Sequence, residues 1–376
     1  SGGTGRLPPR RPVNGGAEFD VLIAGAGPAG ATAGLALAGA GYRTCLLEAG
    51  AYEEERVGET VAPQVEPILD EMGLGEEFRE AGHGSATVAR SAWVGEELRV
   101  RTVAEDAAGG LWLHLDRRRF DGWLADAAGR AGATVLGRWG LAGLERDGDG
   151  WGVDAAGANG EHRRVSARFL IDATGRRRRI ATRLRARRIR HDSQVGIAAF
   201  VPASPDERAK GYYLLTEAMD AGWWYTALLP DGRLVAIFMT DGDLVEGDLG
   251  GWWRRQLGRS IHARARLGEA EDVRSPHVHA ANSSRLDPVA GPGWAAIGDA
   301  ALTIDPLTGM GVWHALDSAR RAAYAVSAWL EGSAAELDEY AREEAGFFAE
   351  YLAFQASLYR LNQRWPGSAY WDRRRG

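Results

Sequence analysis

The segment Phe19-Asp-Val-Leu-Ile-Ala-Gly-Ala-Gly-Pro-Ala-Gly-Ala-Thr-Ala-Gly-Leu-Ala-Leu-Ala-Gly-Ala-Gly-Tyr-Arg-Thr-Cys-Leu-Leu-Glu48 decides the fold. Phe19 to Ala24 is an apolar run of β character. It feeds a loop with Gly25, Gly27 and Gly30 in G-x-G-x-x-G spacing. Gly25 permits the tight strand-to-helix turn, Gly27 lets backbone approach a pyrophosphate, and Gly30 lets the helix pack closely on the strand. Pro28 and Ala29 open the helix, with Pro28 at a first position that needs no N–H. The helix start presents free N–H groups and a positive dipole end to an anion. A second β-type run, Tyr42 to Leu47, ends at Glu48, where an acid binds a ribose hydroxyl. With 51 glycines the isolated motif is weak; strand, loop, helix, strand and acid in this order read as a dinucleotide-binding unit. Val21 to Tyr42 carries no charge, but its six glycines and its proline argue against a membrane span.

A chain of 376 residues sets a prior of about two domains with a sizeable core. Hydrophobic content of 45% and charged content of 26% are globular values. The net charge of −6 points to neither nucleic acid nor membrane, and the sequence reads as cytoplasmic. Cys45 is the single cysteine, so no intrachain disulfide forms. Lys210 is the only lysine, arginine supplying the other basic side chains.

Residues 1–17 read as a flexible lead. A helix is expected from Pro63 to Met72. Another is expected after Asp116, where Phe120, Trp123, Leu124 and Ala127 recur at helical spacing. Arg138 to Arg168 reads as a meander turning at Asp147-Gly148 and Asn159-Gly160. Gln194 to Phe200, Gly211 to Leu215, Trp223 to Leu229 and Leu234 to Thr240 read as strands of a separate sheet. Further helices are expected over Trp252 to Leu267, over Met310 to Leu330, and to about Arg360 behind a Ser333–Glu336 capping box. Nine arginines fall between 176 and 190; Arg176, Arg179, Arg183, Arg187 and Arg190 would share one helix face, a dock for an acidic carrier, leader peptide or reductase.

Two later segments repeat the first landmark's chemistry. Asp172-Ala-Thr-Gly175 closes a short buried strand. Gly298-Asp299 closes another, and Asp305-Pro-Leu-Thr-Gly-Met-Gly-Val312 runs into a helix. Asp299 suits a ribityl hydroxyl. The backbone of Gly309, Met310, Gly311 and Val312 suits a phosphate or the electron-rich edge of a flavin.

G-x-G-P-A-G, Glu48, L-D-R-x-x-F-D-x-W-L, D-A-T-G and G-D-A-A…D-P-x-x-x-x-G together resemble the FAD-dependent aromatic monooxygenases, over roughly residues 18 to 330. Gly58-Glu59-Thr60, Gly222-Trp223-Trp224-Tyr225 and Ser283 to Trp294 are similar to the tryptophan-halogenase-like branch. Among that branch, the flavoproteins that hydroxylate a protein-bound tryptophan during quinone-cofactor maturation match best. The resemblance implies an α/β (α+β) fold of two domains like p-hydroxybenzoate hydroxylase. A Rossmann-type FAD domain (18–84, 111–190 and 282–332) would interleave with a β-sheet substrate domain (85–110 and 191–281), followed by a C-terminal helical segment (333–376). It implies FAD held by Gly25, Gly27, Pro28, Ala29, Gly30, Glu48, Arg56, Arg117, Asp299, Gly309, Met310, Gly311 and Val312. No second dinucleotide motif appears, so reduction would come from transient NAD(P)H or a partner flavin reductase.

The implied reaction is hydroxylation of an electron-rich ring, an indole or phenol, through a flavin C4a-hydroperoxide. The flavin halogenases of this branch use a lysine some two dozen residues after the G-E-A/T loop; here none occurs before Lys210. Their W-x-W-x-I-P box is also altered, reading Trp223-Trp-Tyr-Thr-Ala-Leu228. Both departures lean toward hydroxylation. Candidate substrate-site residues are His114, Trp223, Tyr225, His277, His279 and His314. His314 leads because it follows the flavin loop by one helical turn, and Tyr225 and His114 are the next candidates. No metal site is read. Rival readings are a halogenase, a flavin reductase of the geranylgeranyl-reductase type, and an FAD-holding scaffold that binds peptide without turnover.

Overall fold

The strand Phe19–Ala24 is buried at every position. It runs parallel to Thr44–Glu48 on one side and to His162–Asp172 on the other. The computed structural model describes residues 17–102, 111–268, 273 and 276–375. Among these, the first sheet orders as Ala290–Gly291, Trp294–Ala296, His162–Asp172, Phe19–Ala24, Thr44–Glu48, Thr134–Gly137. Parallel strands covered on both faces require unbroken apolar runs. Asp20 interrupts the first run, and Arg43 satisfies it with a backbone N–H at 2.9 Å and a guanidinium contact at 3.0 Å. The expected meander is present as Trp139–Asp147, Gly150–Gly157 and His162–Asp172, each antiparallel to the next. The helices Pro28–Gly39, Arg117–Arg130 and Gly311–Leu330 pack together over one face.

The second sheet orders as His277–Ala280, Gln194–Pro202, Arg233–Asp241, Gly222–Leu228, Tyr213–Met219, Val88–Ala92, Arg99–Thr102. Its strands come from segments inserted between those of the first sheet, so the two domains interleave as expected. Alternation along Gly222–Leu228 sends neighbouring tryptophans to opposite faces. Trp224 joins Phe238, Trp252 and Trp253 under the helix Leu249–Arg259. Trp223 joins Trp93, Tyr359, Tyr370 and Trp371 under the C-terminal segment. A small sheet of Thr60–Val61, Trp112–His114 and Gly84–Ala86 lies alongside, Thr60 opposite His114 in register. No described helix is long and apolar enough to cross a membrane, and no described cluster of His, Cys, Asp or Glu could hold a metal ion.

Several expected elements are redrawn. The arginine run is not one helix. It divides into the short turn Gly175–Arg177, the helix Arg179–Arg183 and the strand Arg187–Arg190, which pairs with Ser284–Asp287. Arg178 has φ 46°, which breaks any continuous helix there. No single face therefore collects the five arginines. The helix expected over 252–267 is two, Leu249–Arg259 and His262–Leu267, parted by extended Ser260. The helix Ala335–Arg360 starts after Ala334 without a side-chain cap; Ser333 instead donates its hydroxyl to Glu336 at 2.5 Å. A further helix, Ala369–Arg375, follows.

Candidate active site

The first loop has the geometry its glycines predict. A Cβ at Gly25 (φ 99°) would lie 2.2 Å from the Ala173 carbonyl oxygen, and one at Gly30 only 1.9 Å from the Gly25 carbonyl oxygen. Strand, loop and helix therefore approach closer than any side chain allows. Gly27 differs: apart from Arg56 at 3.9 Å, the space beside it is open. Pro28 is the first residue of the helix and Ala29 the next, leaving free N–H groups around that opening. This shape fits a dinucleotide pyrophosphate. Glu48 is fixed beside it, its Oε2 accepting from Ala26 N–H at 2.8 Å and its Oε1 from Gly50 N–H at 2.9 Å.

Arg56 and Arg117 share one buried anchor. Arg56 Nη1 lies 3.1 Å from Asp121 Oδ2, and Arg117 clasps Asp121 through Nε at 2.9 Å and Nη2 at 3.0 Å. The third Arg117 nitrogen donates to the carbonyls of Val57 (3.1 Å) and Gly58 (3.2 Å), which pins the Gly58-Glu59-Thr60 loop.

The arginine run was read as a dock, but two of its members turn inward. Arg178 is buried and donates to the Ala300 carbonyl (2.9 Å) and Ser284 Oγ (2.9 Å); burial, then Arg188, pushes it down to about 10. Arg176 Nε lies 3.5 Å from Asp299 Oδ2. These arginines brace the Gly298–Ala300 turn from below, while the Asp299 carboxylate stays 45% exposed and open to a ligand.

The loop Asp305 to Val312 is tied to the C-terminal helix. Asp305 Oδ1 accepts from Leu307 N–H (2.9 Å), and its Oδ2 accepts from Tyr359 (2.7 Å) and Gln355 (2.9 Å). Asp305 N–H donates to Tyr351 Oη at 2.6 Å. Tyr359 also contacts Tyr370 (3.2 Å), Gln194 (3.2 Å) and the Trp223 indole N–H (3.2 Å). Buried hydrogen bonds thus link the Asp305–Val312 loop of the first domain to strands of the second. Gly309 (φ 64°) accepts the Trp112 ring so closely that a Cβ would meet it at 2.3 Å. Met310 precedes the helix that Gly311 begins, and Val312 is buried.

The histidines separate. His314 does not face the flavin loop. It is buried against the C-terminal helix, its Nε2 3.0 Å from Glu344 and its ring stacked on Phe347 at 5.0 Å. Burial opposes charge on Glu344, but His314 and Arg321 outweigh it and hold the carboxyl below its usual range. That interhelical hydrogen bond occupies His314 Nε2. His277 is exposed and His279 half-buried on the edge strand His277–Ala280. Trp223 is committed to C-terminal packing.

His114 and Tyr225 are both tied to the contact between the small sheet and the strand Gly222–Leu228. His114 Nδ1 lies 2.8 Å from the Leu228 carbonyl, which can only accept, so Nδ1 carries the proton. Burial depresses His114 to about 4, so Nε2 is a bare acceptor at neutral pH, and it has no partner. The Tyr225 hydroxyl bonds Thr60 Oγ1. Burial, then the nearby Glu59, raises the Tyr225 phenol well above its ordinary range. Glu59 is buried with Oε2 unpartnered, and desolvation raises its carboxyl despite Tyr225 and Arg117. Glu59, quoted from the sequence only within the Gly58-Glu59-Thr60 motif, and Trp112 were given no role in the site by sequence reasoning. The only available signal was a charged residue inside an otherwise apolar G-E-T-V turn.

The chain is 28% identical to a putative FAD-dependent oxidoreductase, LodB, of Marinomonas mediterranea, over 95% of this chain and 97% of that protein. It is 26% identical to a tryptophan 2-halogenase of Chondromyces crocatus, covering 92% and 68%. Among solved structures it superposes on the peptidyl tryptophan dihydroxylase QhpG with a TM-score of 0.77, 26% identity, and coverage of 96% and 79%. The family described as FAD binding domain matches residues 18–355. The chain belongs to that family, and its cofactor is FAD.

Proposed function

We propose that this protein is an FAD-dependent monooxygenase that hydroxylates the indole of a tryptophan borne on a peptide. The observation that carries the reading is the lysine inventory. The only lysine is Lys210, and its Nζ is bonded to Glu207 at 2.9 Å. A flavin halogenase needs an amine free to carry or orient the oxidised halide, and arginine is a poor nucleophile with a permanent charge. The likeness to the peptidyl tryptophan dihydroxylase supports the same substrate class.

Reduced FAD supplies the electrons that activate O2, one oxygen atom entering the ring and the other leaving as water. Gly25 to Gly30 and Glu48 would hold its adenosine diphosphate part, Asp299 its ribityl chain, and Gly309 to Val312 its ring. NAD(P)H or a partner flavin reductase would supply the electrons. The chain's own residues supply position and dryness. His114 and Glu59 are buried and Tyr225 is half-buried, which strengthens polar contacts to a bound ring. His114 is neutral and able to accept a proton from the ring at Nε2. Halogenation is the second reading, favoured by the likeness to the tryptophan 2-halogenase. Mass spectrometry of a tryptophan-containing peptide incubated with reduced, FAD-loaded protein and oxygen separates the two. The expected product gains oxygen whether or not bromide is present, and Lys210→Ala gives the same product; bromination of the peptide overturns the proposal.

A further inference from the structure

The buried groups around Tyr225 are unevenly matched. Native structures leave few buried polar atoms without a partner, and each exception calls for an explanation. Two such atoms occur at the small sheet, one on Glu59, just before the strand Thr60–Val61, and one on His114. Glu59 Oε2 and His114 Nε2 are both buried and both unpartnered. They share a frame: Leu115 N–H donates to the Glu59 carbonyl at 2.7 Å, and Thr60 is the register partner of His114. Thr60 and His114 both bond the strand Gly222–Leu228, through Tyr225 and through the Leu228 carbonyl. The hydrogen-bonded Nδ1 proton makes His114 Nε2 an acceptor, and an ionised Glu59 is an acceptor only. The Tyr225 and Thr60 hydroxyls are the donors here, and neither reaches these two atoms.

The surroundings place Glu59 between the two halves of the site. Its charge acts on Tyr225 of the second sheet and on Arg117, which also lies within the field of Asp299. Arg117 holds the two carbonyls that precede Glu59, those of Val57 and Gly58, and so fixes the loop that carries the carboxyl.

We propose that Glu59 is the acceptor that binds the ring N–H of the substrate indole, so that the site selects rings bearing a donor. This rests on the aromatic-substrate reading above and adds the atom that reads the ring. A site built to bond a donor discriminates against the analogue lacking it, because the buried acceptor is then left unpaired. Carbocyclic and N-methylated rings of the same size lack that donor.

The test is binding without turnover. Isothermal titration of oxidised, FAD-loaded protein with N-acetyltryptophanamide and with its 1-methylindole analogue gives two dissociation constants. The expected preference for the unmethylated ligand is about ten- to a hundredfold, the range for a hydrogen bond to a charged acceptor. Glu59→Gln lowers that ratio several-fold with FAD still bound, by its visible absorbance. Glu59→Asp, which keeps the charge but withdraws it by one methylene, gives an intermediate ratio if the Gln variant does not fold. Equal affinity of the wild type for both ligands overturns the inference alone. A ratio unchanged in the variants also overturns it, as does a loss of FAD affinity with the ratio intact, which would assign the carboxylate to the cofactor. Binding of neither ligand by wild type overturns the aromatic-substrate reading together with it.

Discussion

Gly30 is the most constrained residue of the first loop. A methyl group there would meet the Gly25 carbonyl oxygen at 1.9 Å, so the loop and helix must part to admit it. Gly30→Ala is expected to purify without bound flavin and to take up less than a tenth of the wild-type FAD, read from absorbance near 450 nm. His114 gives a second prediction. Burial holds it down to about 4, so its ring stays neutral across the usual working range. ¹⁵N NMR of the imidazole should show no titration between about pH 5 and 9. The sign follows for stability: the folded state resists protonation, so this residue's contribution is lost as pH falls below the unfolded value of about 6.5. The glycines and Glu48 were legible in the sequence because their reasons are local. His314 was not, because helical periodicity gives a side chain's direction but not which distant residue lies there. Glu344 occupies that direction. The neighbourhood of Glu59 and His114 was equally hidden, since Thr60 and His114 become partners only when two short strands are brought together.

At the scale of elements, the C-terminal helix Ala335–Arg360 does more than cover the core. Tyr359 donates to Asp305 at 2.7 Å and receives the Trp223 indole N–H at 3.2 Å, so one hydroxyl joins the Asp305–Val312 loop to the second sheet. Tyr359→Phe leaves the buried Asp305 carboxylate with one donor fewer. It is expected to cost about 1–3 kcal/mol of stability and to weaken FAD binding, measured by thermal melting and by titration of the apoprotein with FAD. An unchanged FAD affinity alongside a lowered melting temperature would show that the link is structural only. Helix existence was readable from periodicity and from the apolar face of Leu337, Tyr340, Phe348 and Tyr351. The arginine run misled by the same logic. Its spacing of three and four matches a helix, yet Arg178 takes a left-handed conformation and Arg187–Arg190 pairs as a strand. Charge spacing alone cannot tell a helix face from a turn followed by an edge strand, because solvent accepts arginine in either.

For the whole molecule, the sheet order and interleaving set the first, parallel-centred sheet against the second, antiparallel one, with the small sheet of Thr60–Val61, Trp112–His114 and Gly84–Ala86 bonded to the second through Thr60 and His114. The two-domain plan was legible because three strand-to-turn signals return to one parallel sheet, through Ala24, Asp172 and Ala296. The chemistry at the junction is the account's central claim: oxygen, not halide, reaches the ring. Its most direct test is a single turnover of reduced, FAD-loaded protein with a tryptophan peptide under ¹⁸O₂, in ordinary water containing bromide. The account predicts a peptide heavier by the mass of ¹⁸O for each hydroxyl added, with no bromine. A brominated peptide, or a product whose oxygen is unlabelled, would contradict it.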